Sequence, residues 1–232
     1  MDEAIDAEEG TGEEAAPADA AERKSTSGVL ELFDAGGMFM WPLLVTSIIG
    51  LAVILERIFT LQRAHTNTRN LMEKILQNLK GSGIAAAIEA CTRTRGPIAA
   101  VLHAGLLKAP KGPAAVEKAI EDAGTIEMAF LQRGLIWLAT VANVAPLIGF
   151  LGTVSGMINA FEAIAAAEQV SAKVVAKGIS EALITTATGL LIAIPVQTAH
   201  NYFVARIDRF VLEMEESSVE LVEAISEGVG QQ

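Results

Sequence analysis

The sequence predicts an all-α integral membrane protein with three transmembrane helices, and three observations lead there. Of its 232 residues, 51% are hydrophobic, and mean hydropathy is positive despite a substantial charged fraction. The apolar residues collect in three charge-free runs, over 38–55, 134–161 and 182–205. Each is long enough as a helix, at ~1.5 Å per residue, to cross roughly 30 Å of hydrocarbon. Helices of a water-soluble bundle rarely stay uncharged on every face over such lengths, so a soluble core is the poorer account.

Net charge is −11, but it is unevenly spread. Nine of the 28 acids lie in residues 1–22, which hold no Lys or Arg, leaving 17 bases and 19 acids in the rest. The body is nearly neutral and lacks the basic surface that nucleic-acid binding needs. Cys91 is the single cysteine, which excludes an intrachain disulfide and a cysteine-rich metal site.

Taken in order, residues 1–26 are acidic, rich in Ala and Gly, and too poor in large apolar side chains to offset their ordering entropy. A disordered tail is expected there, with no cleavable signal peptide. Residues 27–37 carry Val29, Leu30, Leu32 and Phe33 interrupted by Glu31 and Asp34, the pattern of a short amphipathic helix at a membrane surface. The first transmembrane helix follows over 38–56, with Trp41 as interfacial anchor and Pro42 in the first turn, where proline is tolerated.

Residues 57–133 read as a polar helical domain with breaks at Gly81–Gly83, Gly96-Pro97 and Pro110–Pro113. This stretch holds 11 of the 17 basic residues. The positive-inside rule therefore puts it, and the C-terminus beyond Arg206 and Arg209, in the cytoplasm, and the N-terminus outside. The second transmembrane helix is expected over 134–161. At ~42 Å it exceeds the hydrocarbon thickness and extends into the cytoplasm. A short loop over 162–177 returns the chain on the outer side. The third transmembrane helix covers 178–205, and a helix over 206–232 continues inside, alternating apolar and acidic residues at helical spacing.

The second and third spans carry the informative residues. Gly149, Gly152 and Gly156, with Ala145 and Ala160, place small side chains along the second; Gly178, Ala182, Thr185, Gly189 and Ala193 do so along the third. Such spacing lets helices approach closely. Thr153 stands midway along the second span, and Glu181, Thr185, Thr186 and Thr188 in the outer half of the third. A carboxylate in or near hydrocarbon costs several kcal/mol unless it meets a partner or water, so Glu181 is a functional candidate. Helical spacing puts Glu181, Thr185 and Thr188 on one stripe and Thr186 off it, so the helix either presents two faces or departs from ideal geometry. Threonines that bond their own helix carbonyls are at least as common as pore-lining ones. His65, His103 and His200 are far apart in sequence, and no nucleophile–base pair, phosphate loop or metal-ligand spacing is present. No enzyme activity, cofactor or metal is expected. His200 falls near the inner end of the third span, where a histidine satisfied by its surroundings is commoner than a proton shuttle.

The runs MWPLLVTSIIGLAVILER (40–57), APLIGFLGTVSGMINAF (145–161) and GISEALITTATGLLIAIP (178–195) resemble the MotA/TolQ/ExbB proton channel family, most closely its ExbB and TolQ branch. The resemblance extends over about residues 28–215 and leaves out the acidic tail. It implies a bacterial inner-membrane pentamer enclosing two copies of an ExbD/TolR-like single-span partner, with protons passing an aspartate on that partner's helix. By the same resemblance Thr153 and Thr186 match pore-lining threonines and Glu181 a third-span glutamate; Thr185 and Thr188, which the helical stripe favours, are second choices. Pro146 and Pro195 match positions that permit helix bends. The implied role is to energise TonB-dependent transport across the outer membrane through a TonB-like or TolA-like protein. A TolQ-type envelope-maintenance motor or a gliding-motility motor is the close alternative. A membrane scaffold without conduction is the alternative from another class. Three spans rather than four set the chain apart from the flagellar-stator branch.

Overall fold

The structure, a computed structural model, describes residues 28, 30–64, 68–166 and 172–229. The expected acidic tail, Val29 and His65 lie outside these residues. Among the described residues every regular element is helical. A short helical stretch over 30–35 leads through the 3₁₀ turn Gly37–Phe39 into α1, Met40–Ala64. Gly37 has φ +67°, a backbone that non-glycine residues rarely adopt, and it redirects the chain into the apolar helix. Phe33 packs edge-on against Trp41, with ring centroids 5.4 Å apart.

Four helices follow: α2 (Thr68–Gly81), α3 (Ile84–Arg93), α4 (Pro97–Leu106) and α5 (Pro113–Gln132). The chain breaks where glycine meets proline. Gly96, at φ +128°, takes a conformation open to glycine just before Pro97, and Pro97 and Pro113 start their helices where the missing N–H costs nothing. Then come α6 (Leu135–Ala166) and α7 (Ala172–Val229). Three stretches of helix are long and apolar enough to cross a membrane: one containing α1, the near-continuous α5–α6, and α7. The most apolar part of the second is 39% buried within the protein against 17% for the first, so α6 is central and α1 peripheral.

At 58 residues, α7 would measure about 87 Å. Its first part packs along α6, with Met40 and Leu43 of α1 meeting Ala145 and Ala193. Farther on, Phe203, Ile207 and Phe210 join Leu61, Leu131 and Leu138 in a second cluster. Its last turns supply Met214, Leu221 and Ile225 to a core shared with α2–α5, including Ile75, Leu102 and Val116. Thr68 donates a hydrogen bond to the Glu213 carboxylate at 2.7 Å, tying α2 to the same helix.

The junction between α5 and α6 is held by a residue from α1. Arg57, 7% exposed, donates from Nη1 to the Leu131 carbonyl at 3.0 Å, while Nε and Nη2 grip the Glu56 carboxylate at 2.7 and 2.9 Å. The Leu131 carbonyl belongs to the last turn of α5, where helix acceptors lose their regular partners, so the guanidinium acts as a cap. Gly134 makes room for it: a Cβ there would lie 2.7 Å from Arg57 Cζ.

Candidate functional site

The closest packing in the molecule lies between α6 and the first part of α7. Ala145, Gly149, Gly152, Gly156 and Ala160 on α6 are buried against Gly178, Ala182, Thr185, Gly189 and Ala193 on α7. The approach is backbone to backbone. A Cβ on Gly189 would fall 2.7 Å from the Ala145 carbonyl oxygen, and one on Gly149 would fall 3.0 Å from the Thr185 carbonyl oxygen. One on Gly156 would reach 2.9 Å from the Gly178 carbonyl oxygen. In hydrocarbon the hydrophobic effect cannot drive helices together, so contact of this kind is what packing energy remains.

The three threonines in the outer half of the third span are bonded differently. Thr185 is fully buried in the seam, filling the space left by Gly152, and its hydroxyl lies within hydrogen-bond reach of the Ala182 carbonyl at 2.9 Å and the Glu181 carbonyl at 3.2 Å. Thr186 is half-buried and donates across the seam to the Gly149 carbonyl at 3.0 Å. Thr188 bonds back to the Ile184 carbonyl at 2.8 Å. On α6, half-buried Thr153 bonds back to the Phe150 carbonyl at 2.6 Å.

The hairpin has one covered side and one open side. On the covered side α1 lies against it: a Cβ on Gly50 would stand 3.1 Å from both Val141 and Val196. Glu181 belongs here. Its carboxylate lies against Gly37, where a side chain would collide with it, and Ile184 reaches Gly36. At about 100° per residue, Thr188 turns toward this side too. Thr153 and Thr186 turn away from α1 by the same reckoning, onto the open groove, about one helical turn apart along the hairpin. The single stripe expected for Glu181, Thr185 and Thr188 thus divides among the side facing α1, the seam, and again the side facing α1. Glu181 and Thr186 occupy opposite sides of α7.

Pro146 and Pro195 sit inside continuous helices, one half-buried and the other exposed. Each removes the donor that the carbonyl four residues earlier, Ala142 or Leu191, would use. Among the described residues no three His, Cys, Asp or Glu side chains converge as they would on a metal ion. Outside the spans, burial pushes the Cys91 thiol up to about 11, and desolvation also raises the Glu127 carboxyl. Arg57, Gly134 and the Gly37–Glu181 contact were not singled out as partners in the sequence, because each joins residues far apart in the chain. The one sequence sign was a charged pair, Glu56-Arg57, at the end of an apolar run.

A hairpin of this kind offers one side bearing the Thr153 and Thr186 hydroxyls, with the Glu181 carboxylate on the opposite side against Gly37. It can order water or line a path for a small cation, and it holds no group placed for covalent chemistry. Comparison with known proteins bears on which of these applies. The model of the MotA/TolQ/ExbB proton channel family matches residues 93–216. An ExbB homolog of Methanothermobacter thermautotrophicus is 30% identical over 181 residues, covering 78% of this chain and 64% of that protein. The Tol-Pal system protein TolQ of Haemophilus influenzae is 43% identical over 103 residues, 43% of this chain and 45% of TolQ. The biopolymer transport protein ExbB of Xanthomonas campestris pv. campestris is 41% identical over 106 residues, 43% of this chain and 42% of the relative. The matched stretches thus span less than two thirds of each of these relatives.

Proposed function

The chain belongs to the MotA/TolQ/ExbB proton channel family, and from that premise we propose that it is the ring-forming subunit of a proton-driven motor. In this reading five copies in a bacterial inner membrane surround two copies of an ExbD/TolR-like single-span protein. The N-terminus is periplasmic, and α2–α5 and the end of α7 are cytoplasmic. Protons move along the open groove of the α6/α7 hairpin past Thr153 and Thr186, with the main carrier supplied by the partner's helix, since these spans hold no aspartate. Glu181, on the side facing α1, places a carboxylate at the outer end of the hairpin. The work is passed to a TonB-like protein to energise transport across the outer membrane, or to a TolA-like protein in envelope maintenance, or to a gliding-motility machine.

The observation that carries this reading is the two-sided hairpin. Its covered side is committed to α1, while the side bearing Thr153 and Thr186 is left for neighbours inside a ring. Native mass spectrometry of the chain co-purified with its single-span partner tests the assembly, with five copies to two expected. Glu181→Ala and Thr153→Val should each lower proton flux in vesicles by at least tenfold while leaving that assembly intact. Wild-type flux in both variants would remove the channel role from these residues.

A membrane scaffold without conduction is the second reading, and one observation favours it. The hydroxyls of Thr153, Thr185, Thr186 and Thr188 are all engaged with helix carbonyls. Absence of proton flux from intact wild-type complex would decide for it.

A further inference from the structure

Toward the far end of the hairpin a cleft of about 480 Å³ opens between the α5/α6 junction and α7, lined by Arg133, Ala139, His200, Val204 and Asp208 among others. His200 follows Thr186 by fourteen residues, about 21 Å along the helix. Fourteen steps of about 100° return it to within about 40° of the direction of Thr186, and its neighbours across the cleft come from α5, α6 and their junction. It is half-buried in a long charge-free run whose one other titratable side chain is Tyr202.

Its hydrogen bonding leaves one nitrogen free to accept. His200 Nδ1 stands 3.3 Å from Asn201 Oδ1, an oxygen that also accepts from Gln197 Nε2 at 3.0 Å. In the tautomer with the hydrogen on Nδ1, that nitrogen donates to Asn201 and Nε2 keeps its lone pair. The charged groups facing the same cleft are Arg133 from the α5/α6 junction and Asp208 from α7 itself. On α6 the one charged residue is Glu162, at the opposite end.

We propose that His200 is a proton-relay residue at the end of the α6/α7 groove away from Glu181, exchanging protons between groove water and cleft water. Nε2 accepts a proton from a hydronium in the groove, giving imidazolium and water. The imidazolium then returns a proton to water in the cleft, regenerating the neutral ring. No oxidant, metal or cofactor enters. The relay rests on the proton-conducting reading above and adds an exit step to it.

The test uses the complex of this chain with its single-span partner, reconstituted in phosphatidylethanolamine–phosphatidylglycerol vesicles enclosing a pH-sensitive dye. His200→Ala should slow proton flux by about tenfold or more, in the range expected for loss of a positioned acid–base group. Its flux–pH curve should lose a bend that the wild type shows, and added imidazole should restore flux. His200→Gln, which keeps a donor toward Asn201, should be as slow as His200→Ala. Wild-type flux and pH dependence in His200→Ala would overturn the relay and leave the channel reading standing. Flux that is lost in His200→Ala, restored in His200→Gln and unaffected by imidazole would overturn it in favour of a packing role. Wild-type vesicles without flux would overturn both readings.

Discussion

One helix, α7, is packed in two different ways along its length. Beside α6 it offers glycine, alanine and threonine, and the two backbones touch. Beyond Phe203 it offers Ile207, Met214, Leu221 and Ile225, and the contact is between large side chains. The difference is the one expected if, as proposed, the seam lies in hydrocarbon and the distal core in water. In water, burying a leucine removes apolar surface from solvent and stabilises by ~1.5–3 kcal/mol. In hydrocarbon that gain vanishes and close approach must do the holding. Substitutions should therefore fail in opposite directions at the two ends: additions break the seam, and deletions break the distal core.

The largest expected effect is Gly189→Val. Its side chain would enter the Ala145 carbonyl and the Gly149 Cα, backbone atoms that cannot turn away. A loss of ~3 kcal/mol or more is expected, read as failure to recover a monodisperse complex on size exclusion in detergent. Normal elution with wild-type thermal stability would mean that the seam is looser than described. Next is Leu221→Ala, at a fully buried position of the distal core. Removing that side chain should cost ~2–5 kcal/mol, seen as a lower midpoint of thermal unfolding by circular dichroism. A loss below ~0.5 kcal/mol would show that the end of α7 does not share a core with α2–α5.

Gly105→Ala sharpens the contrast, because this glycine also faces a close neighbour but lies in the distal core. Its Cβ would meet Ile120 Cγ1 at 2.7 Å and Cδ1 at 2.9 Å, the outer atoms of a side chain that can rotate. A loss of ~1 kcal/mol is expected, smaller than for Gly189→Ala measured alongside it. Equal losses would erase the distinction between backbone and side-chain neighbours.

The smallest effect concerns Cys91 in the same distal core. Its thiol is 2% exposed, and burial pushes it up to about 11 from an ordinary value of 9.0. An acid held protonated in the folded state leaves stability untouched at low pH. As pH rises past the ordinary value the unfolded chain ionises first, so stability falls between about pH 9 and 11. Near pH 8 no change in stability is expected. There a thiol-reactive disulfide reagent should label the folded protein far more slowly than the unfolded one, by roughly a hundredfold. Rapid labelling of folded protein would place Cys91 in an opening segment.

Much of this was legible in the residues themselves. Hydropathy located the three apolar helices, because transfer to hydrocarbon is scored residue by residue. Gly81, Gly96, Pro97 and Pro113 marked where helices end or begin, because backbone freedom and the missing proline N–H are local properties. The four-residue spacing of small side chains announced the seam, since helical period alone brings them to one face.

What the tertiary structure decided is which neighbour occupies each face. Thr185 and Thr186 are adjacent, and only the position of α6 makes one a buried filler of the Gly152 gap and the other a donor to Gly149. Glu181 meets the Gly37 turn because α1 lies on that side of the hairpin. Arg57 finds the Leu131 carbonyl 74 residues away. Composition and period, which depend on single residues and one helix at a time, were written in the sequence. Facing depends on contacts between helices distant in the chain, and no local pattern encodes the partner.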